Sequence, residues 1–178
     1  EASWQDGAVK WVEKCAARLT PAHHERLAAW GITPATASAC RIGWNDKDLF
    51  VKYTAWGLPY DENKNGRERC IHLPAGFVFP VFGADGTLQR VKVRLEHPGP
   101  DEPKYKAVVG GGTGYAIFGD RQKSRTWIIV ETERDAMLLR QELGPYGIGA
   151  MGTGSASMQP DSEAHALLQA ADCILCAL

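Results

Sequence analysis

No apolar run in this 178-residue chain approaches the roughly 20 residues that a membrane span needs, and the N-terminus has no signal-peptide pattern. The chain is therefore expected in the cytoplasm, with no membrane partner. Cysteine is sparse, odd in number and scattered, at Cys15, Cys40, Cys70, Cys173 and Cys176. That usage argues against a disulfide framework and for reduced thiols. Cys173 and Cys176 stand at C-x-x-C spacing, but no second ligand pair lies nearby and residues three apart on a strand face opposite ways. They read as two buried thiols, and no zinc is assigned. Charge of one sign is lacking too: the net charge is −1, which argues against a strongly electrostatic nucleic-acid binder. The total hides a modest asymmetry, since residues 107–178 hold five Lys/Arg against eight acids and residues 1–106 carry the positive excess. With 44% apolar and 23% charged residues, nothing suggests disorder.

What is present begins with three short helices. Val9, Val12, Cys15, Ala16 and Leu19 fall at helical spacing within residues 5–19. Thr20-Pro21 restarts the chain with a cap and a proline at the first helical position, Gly31 closes that helix, and Thr33-Pro34 repeats the device. None of the three helices carries the clustered Arg, Lys, Asn or Gln of a DNA-reading helix, so plain packing is their role. The chain opens at Glu1 without Met and stops at Leu178 inside an apolar run, and is read as part of a longer polypeptide.

A polar, turn-rich loop over 61–69 leads to strands at 70–73 and 77–82, and Ala84-Asp85-Gly86 is a hairpin turn into a strand at 87–95. That last strand alternates, with Arg90, Lys92 and Arg94 on one face and Val91, Val93 and Leu95 on the other. Two readings stay open for the basic row: a solvated outer face, or a cationic track whose ~6.6 Å two-residue repeat is close to the spacing of nucleic-acid phosphates. The cluster Gly110-Gly111-Gly112-Thr113-Gly114 lacks the lysine and hydroxyl of a Walker loop and reads as a flexible connector.

The chain is organised around Trp127-Ile128-Ile129-Val130-Glu131-Thr132-Glu133-Arg134-Asp135. Four large apolar residues suit a strand covered on both faces. Thr132 and Asp135 then stand at capping-box spacing before helix formers. Glu133 and Asp135 read equally well as helix-start acids favoured by the macrodipole. Glu131 precedes the cap, at the carboxyl edge of the strand where ligands bind in open α/β sheets, and is either a solvated strand end or catalytic. A strand at 147–151, the turn Gly152-Thr153-Gly154, a helix at 160–171 with Asp161 and Glu163 in its first turn, and a buried strand at 173–178 complete a β-α-β-α-β pattern. That pattern implies a parallel sheet with right-handed crossovers.

The segment from Val130 to Ala136 resembles the first motif of the TOPRIM domain shared by bacterial primases, topoisomerases and some nucleases: a glutamate after an apolar strand and an aspartate four residues on, matched by Glu131 and Asp135. Thr132 stands where that family usually has Gly. Leu27 to Pro34 and Arg41-Ile42-Gly43-Trp44 resemble the entry to the polymerase core of bacterial DnaG-type primases, and the resemblance is compatible with a phage or plasmid relative of that family. The basic strand, Pro103-Lys104-Tyr105 and Ile117-Phe118-Gly119 follow in the order of that core, and Gly152-Thr153 matches a Gly-Thr common in primase TOPRIM domains.

The resemblance covers roughly residues 20–178. It implies an α+β N-terminal lobe over 1–119 and an α/β TOPRIM-like lobe with a parallel sheet over 120–178, truncated at its C-terminus. It implies a DNA-dependent primase that makes short RNA primers on single-stranded template, with nucleoside triphosphates as substrates and a replicative helicase in cis or in trans as partner. Glu131 and Asp135 would be catalytic. Arg94 and Lys104, with Arg90, Lys92 and Tyr105 as neighbours, would hold nucleic acid or nucleotide. Mg²⁺, or Mn²⁺, would be held by Glu131 with an Asp-x-Asp pair expected after Leu178, so the 178 residues alone are expected to be inactive. Two alternatives are a TOPRIM nuclease or topoisomerase, and a non-catalytic replication module that binds single-stranded DNA.

Overall fold

The computed structural model describes residues 3–155 and 158–178. Helix α1 (Trp4–Ala16) starts at Ser3, whose hydroxyl accepts the Asp6 N–H, and buries Trp4, Ala8, Trp11, Val12 and Cys15 along one stripe. Helices α2 (Pro21–Ala28) and α3 (Pro34–Ala39) are capped by Thr20 and Thr33, each with proline in the first turn, as the Thr-Pro pairs predict.

Strands β1 (Gly43–Asn45), β2 (Leu49–Lys52), β3 (Cys70–Leu73), β4 (Gly76–Phe82), β5 (Leu88–Leu95) and β6 (Tyr105–Ala107) form two antiparallel groups. One is a four-stranded sheet in the order β1-β4-β5-β6, and the other is the ribbon β2-β3. A bulge between Val81 and Phe82 shifts the register of β5, so that Leu88 joins Val91 and Val93 in the core under α1. Arg90, Lys92 and Arg94 occupy the opposite face.

Strands β7 (Ala116–Phe118), β8 (Thr126–Val130), β9 (Ile148–Gly152) and β10 (Cys173–Ala177), with helices α4 (Glu133–Leu143) and α5 (Ser162–Gln169), form the second sheet. Its order is β10-β8-β9-β7, with β8 parallel to both β9 and β10. This is the expected β-α-β-α-β run. Residues 116–118, assigned by the sequence to the N-terminal part, instead add to this sheet as the edge strand β7, antiparallel to β9. A three-residue strand carries too little pattern to say which edge it will join.

The strand at 173–178 was expected to be buried with its two thiols, and it is not. Strand β10 is the outer edge of the sheet, every residue in it is exposed, and Cys173 and Cys176 with it. Apolar composition marks a strand that could be covered, but cover depends on a neighbouring element. Burial pushes the Cys15 thiol up to about 12 and the Cys40 thiol up to about 11. With a thiol-reactive dye on the folded 178-residue chain at neutral pH, Cys70, Cys173 and Cys176 should label quickly and Cys15 and Cys40 only on unfolding, as labelled peptides would reveal.

The two sheets share a core. Met137 of α4 packs among Leu27, Ile32, Ala37, Phe77 and Phe79, and partly buried Phe118 and Tyr105 close around them. That contact presses the first turn of α4 against the basic face of β5. Among the described residues no helix is long and apolar enough to cross a membrane.

Candidate nucleic-acid and metal site

Glu131 lies one residue beyond β8, whose last residue, Val130, is level with Gly152 at the end of β9 and with Ala177 at the end of β10. Thr132, the cap of α4, has extended backbone (φ −109°, ψ 150°) that any residue adopts, so the glycine of the resembling motif is not needed for this geometry. Its hydroxyl accepts the Asp135 N–H at 3.1 Å and donates to Asp135 Oδ2 at 2.7 Å. Arg134 completes the cluster, with Nη2 at 2.9 Å from Asp135 Oδ1. Asp135 thus does the work of a helix-start acid, held by its neighbours. The turn after β9 packs tightly here: a Cβ on Gly152 would come within 2.9 Å of the Thr132 carbonyl oxygen, which explains a residue without one. The Gly154 N–H donates at 2.7 Å to the Glu131 carbonyl.

The unexpected residue is Glu133. It stands in the first turn of α4, but it is buried, with 5% of its surface exposed, and its side chain reaches β5. Arg90 donates to Glu133 Oε1 from Nε at 3.1 Å and from Nη2 at 2.8 Å, and Lys92 Nζ sits 3.0 Å from Oε2. Arg90 Nη1 also donates to the Gly114 carbonyl, and Lys92 Nζ to the Gly154 carbonyl at 3.0 Å. The basic row is therefore neither a solvated face nor an open track at this end. Arg90 and Lys92 are covered by α4 and the Gly152–Gly154 turn. Alternation along β5 revealed that the cations share a face, but no local signal shows that a buried acid 43 residues on will meet them.

Arg94 is arranged differently. Its guanidinium lies 4.1 Å from the centre of the Trp30 ring and donates to the Tyr105 hydroxyl at 3.2 Å. Lys104, just before β6, is exposed. The glycine cluster is not a loose connector: Gly112 N–H donates to the Gln89 carbonyl at 2.7 Å, and the Trp4 indole N–H to the Val109 carbonyl at 2.8 Å. Gly110, at φ +97°, could not carry a Cβ without meeting that indole at 2.3 Å.

A cleft of about 160 Å³ opens between the sheets. Lys92, Tyr105 and Phe79 line one side and Glu131, Glu133 and Arg134 the other, while Arg94 and Lys104 stand outside the lining. A broader groove, about 340 Å³, continues from Lys92 and Gly154 along Gly110–Thr113. Glu131 is exposed, and its side chain makes no hydrogen bond or ion pair with any described residue. Among the described residues no three His, Cys, Asp or Glu side chains gather into a group able to hold a metal ion. The uncommitted carboxylate at the cleft is Glu131, a hard oxygen ligand of the kind Mg²⁺ takes when one or two carboxylates act together with substrate phosphates.

No protein-family model matches the chain, and no curated protein is similar to it. Solved structures are similar across almost all of it. A DNA primase domain from Pseudomonas aeruginosa is 18% identical with a TM-score of 0.68, over 97% of this chain and 60% of that one. The E. coli primase catalytic core is 19% identical with a TM-score of 0.64, over 97% and 60%. A DnaG primase catalytic domain solved bound to single-stranded DNA is 18% identical with a TM-score of 0.62, over 97% and 61%. The chain therefore has a mixed α/β fold of the kind found in DNA primases. More narrowly, it has the fold of the DnaG-type catalytic core, and spans about three-fifths of the length of those solved structures.

Proposed function

We propose that this chain is the N-terminal lobe and TOPRIM-like lobe of a DnaG-type primase, a nucleotidyltransferase that makes RNA primers on a single-stranded DNA template. The observation that carries the reading is the cleft, where an uncommitted carboxylate at a strand's carboxyl edge, Glu131, faces a lysine and a tyrosine of the basic sheet. The likeness to primase cores over 97% of the chain supports it, one of them solved with single-stranded DNA.

In this reading Glu131 is the residue of this chain that would hold Mg²⁺ or Mn²⁺. When bound, the metal would supply charge neutralisation and activation of a ribose 3′-hydroxyl. Asp135, tied to Thr132 and Arg134, holds the first turn of α4 in place, and so the carboxylate before it. Lys92 and Tyr105 contact nucleic acid or nucleotide inside the cleft, Arg94 and Lys104 do so at its border, and Arg90 anchors the basic strand. The parallel register sets Leu178 beside Glu131, so an acid placed just after Leu178 would join the metal set. A replicative helicase is the partner this activity calls for.

Ribonucleotide incorporation on a single-stranded template with Mg²⁺ or Mn²⁺ tests the reading, assayed with this chain and with any longer polypeptide containing it. Absence of synthesis from both would leave a DNA-binding module. Binding is tested separately. Affinity for oligothymidylate should fall with salt, and replacing Arg94 and Lys104 together by Ala should flatten the log–log slope by about 1.4, at roughly 0.7 per phosphate contact on a single strand. An unchanged slope would remove both residues from the interface.

A further inference from the structure

The cations near the cleft are already matched by acids. Arg134 is held by Asp135, and Arg90 and Lys92 are held by Glu133. Glu131 adds a further negative charge at the mouth. A polyphosphate entering this cleft meets three cations balanced by three acids and so no net positive charge, which is a poor electrostatic reception for the ligand that the proposed function requires.

The arrangement of Glu133 suggests how the difficulty is met. Its two oxygens sit against Lys92 Nζ at 2.9 and 3.0 Å, and one of them also takes the side edge of the Arg90 guanidinium. Two oxygens of a phosphate would present the same acceptors to the same donors. The two cations are not equally bound. Each also donates to a backbone carbonyl, Arg90 to Gly114 and Lys92 to Gly154, but the Arg90 side chain is 8% exposed, whereas that of Lys92 is 19% exposed and lines the cleft. If Lys92 turns to a phosphate, Glu133 keeps its two hydrogen bonds from Arg90 and is not left buried and unpaired. That makes the exchange inexpensive.

Building on the function proposed above, we propose that Glu133 is the internal counter-anion of the cleft: it occupies the place of a phosphate on Lys92, and polyphosphate binding proceeds by displacing it. Glu133 is then a positioning residue that acts through Lys92. It keeps the lysine extended towards the cleft while lowering the cleft's affinity for polyanions. The ligand chemistry is a phosphate with two available oxygens, from either a nucleoside triphosphate or a template backbone.

Binding of inorganic tripolyphosphate and of a short oligothymidylate is measured on the 178-residue chain and its variants as a function of salt. Glu133→Gln should bind on the order of tenfold tighter at low salt, with a salt slope steeper by about 0.7 for oligothymidylate, even though the variant is less stable. A residue with only a structural role would lose affinity and stability together. Glu133→Asp keeps the charge on Arg90 but is one methylene too short for both cations, so it should gain affinity by a smaller factor. It serves as the decisive variant if Glu133→Gln does not fold. Adding Lys92→Met to either variant should abolish the gain. A gain for tripolyphosphate alone assigns the site to nucleotide phosphates, and a gain for oligothymidylate alone assigns it to the template. Equal or weaker binding of both probes by the folded Glu133 variants, or a gain that survives Lys92→Met, would overturn the proposal. Failure of the wild-type chain to bind either probe counts instead against the function proposed above, because the sign of the change in the variants still decides the role of Glu133.

Discussion

In a longer polypeptide that contains this chain, replacing Glu131 by Gln is expected to lower ribonucleotide incorporation by about 10² or more, the scale on which a preorganised electrostatic group acts at a reacting centre. The substitution keeps the shape and removes the charge. Because Glu131 is exposed and its side chain bonds to no described residue, the urea midpoint of unfolding should hardly move. The two measurements together isolate its chemical role. A fall in rate at constant stability assigns the carboxylate to catalysis, and an active Glu131→Gln enzyme returns it to a solvated strand end. Asp135→Asn makes a useful contrast. Asp135 is tied to Thr132 and Arg134, so a loss of rate there should come with a loss of helix-start stability, about 1 kcal/mol for a disturbed cap.

The largest effect on stability should come from Arg90→Ala, at about 3–5 kcal/mol, the cost of stripping one partner from a buried charge cluster. Glu133 would keep only the more exposed Lys92, and the Gly114 carbonyl would lose its donor. Lys is a poor substitute at position 90, because Nε and Nη2 approach one carboxylate oxygen while Nη1 serves a carbonyl on another segment, which an ammonium cannot reproduce. Lys92→Met should cost clearly less, since Arg90 still holds Glu133. Urea unfolding of the three variants orders them. An Arg90→Ala protein as stable as Lys92→Met would mean that the cluster contributes little to joining α4 to β5.

Much of the local structure was legible in the chain. The Thr-Pro pairs named two helix starts, the Ala84-Asp85-Gly86 turn and the alternation after it named the β4–β5 hairpin, and Thr132 with Asp135 named the start of α4. These are short-range effects, in which a hydroxyl meets an N–H three residues on or side chains alternate along a strand. Strands β1, β2 and β6 passed unmarked because three or four residues hold too little periodicity, and their pairing depends on partners up to 35 residues away.

The candidate site divides along the same line. By itself the sequence determined that an acid, Glu131, ends an apolar strand and precedes a capped helix, and that three cations share one face of a strand, because both follow from backbone periods of a few residues. Only the tertiary structure decided what each charge does. It buried Glu133 against Arg90 and Lys92, left Glu131 open at the cleft, stacked Arg94 on Trp30, and left β10 exposed at the sheet edge. The reason is physical: the state of a charge depends on which groups lie within a few ångströms and on how much water reaches it. Here those groups come from segments roughly 40 to 65 residues apart, brought together when Met137 of α4 packs into the core beneath the basic sheet.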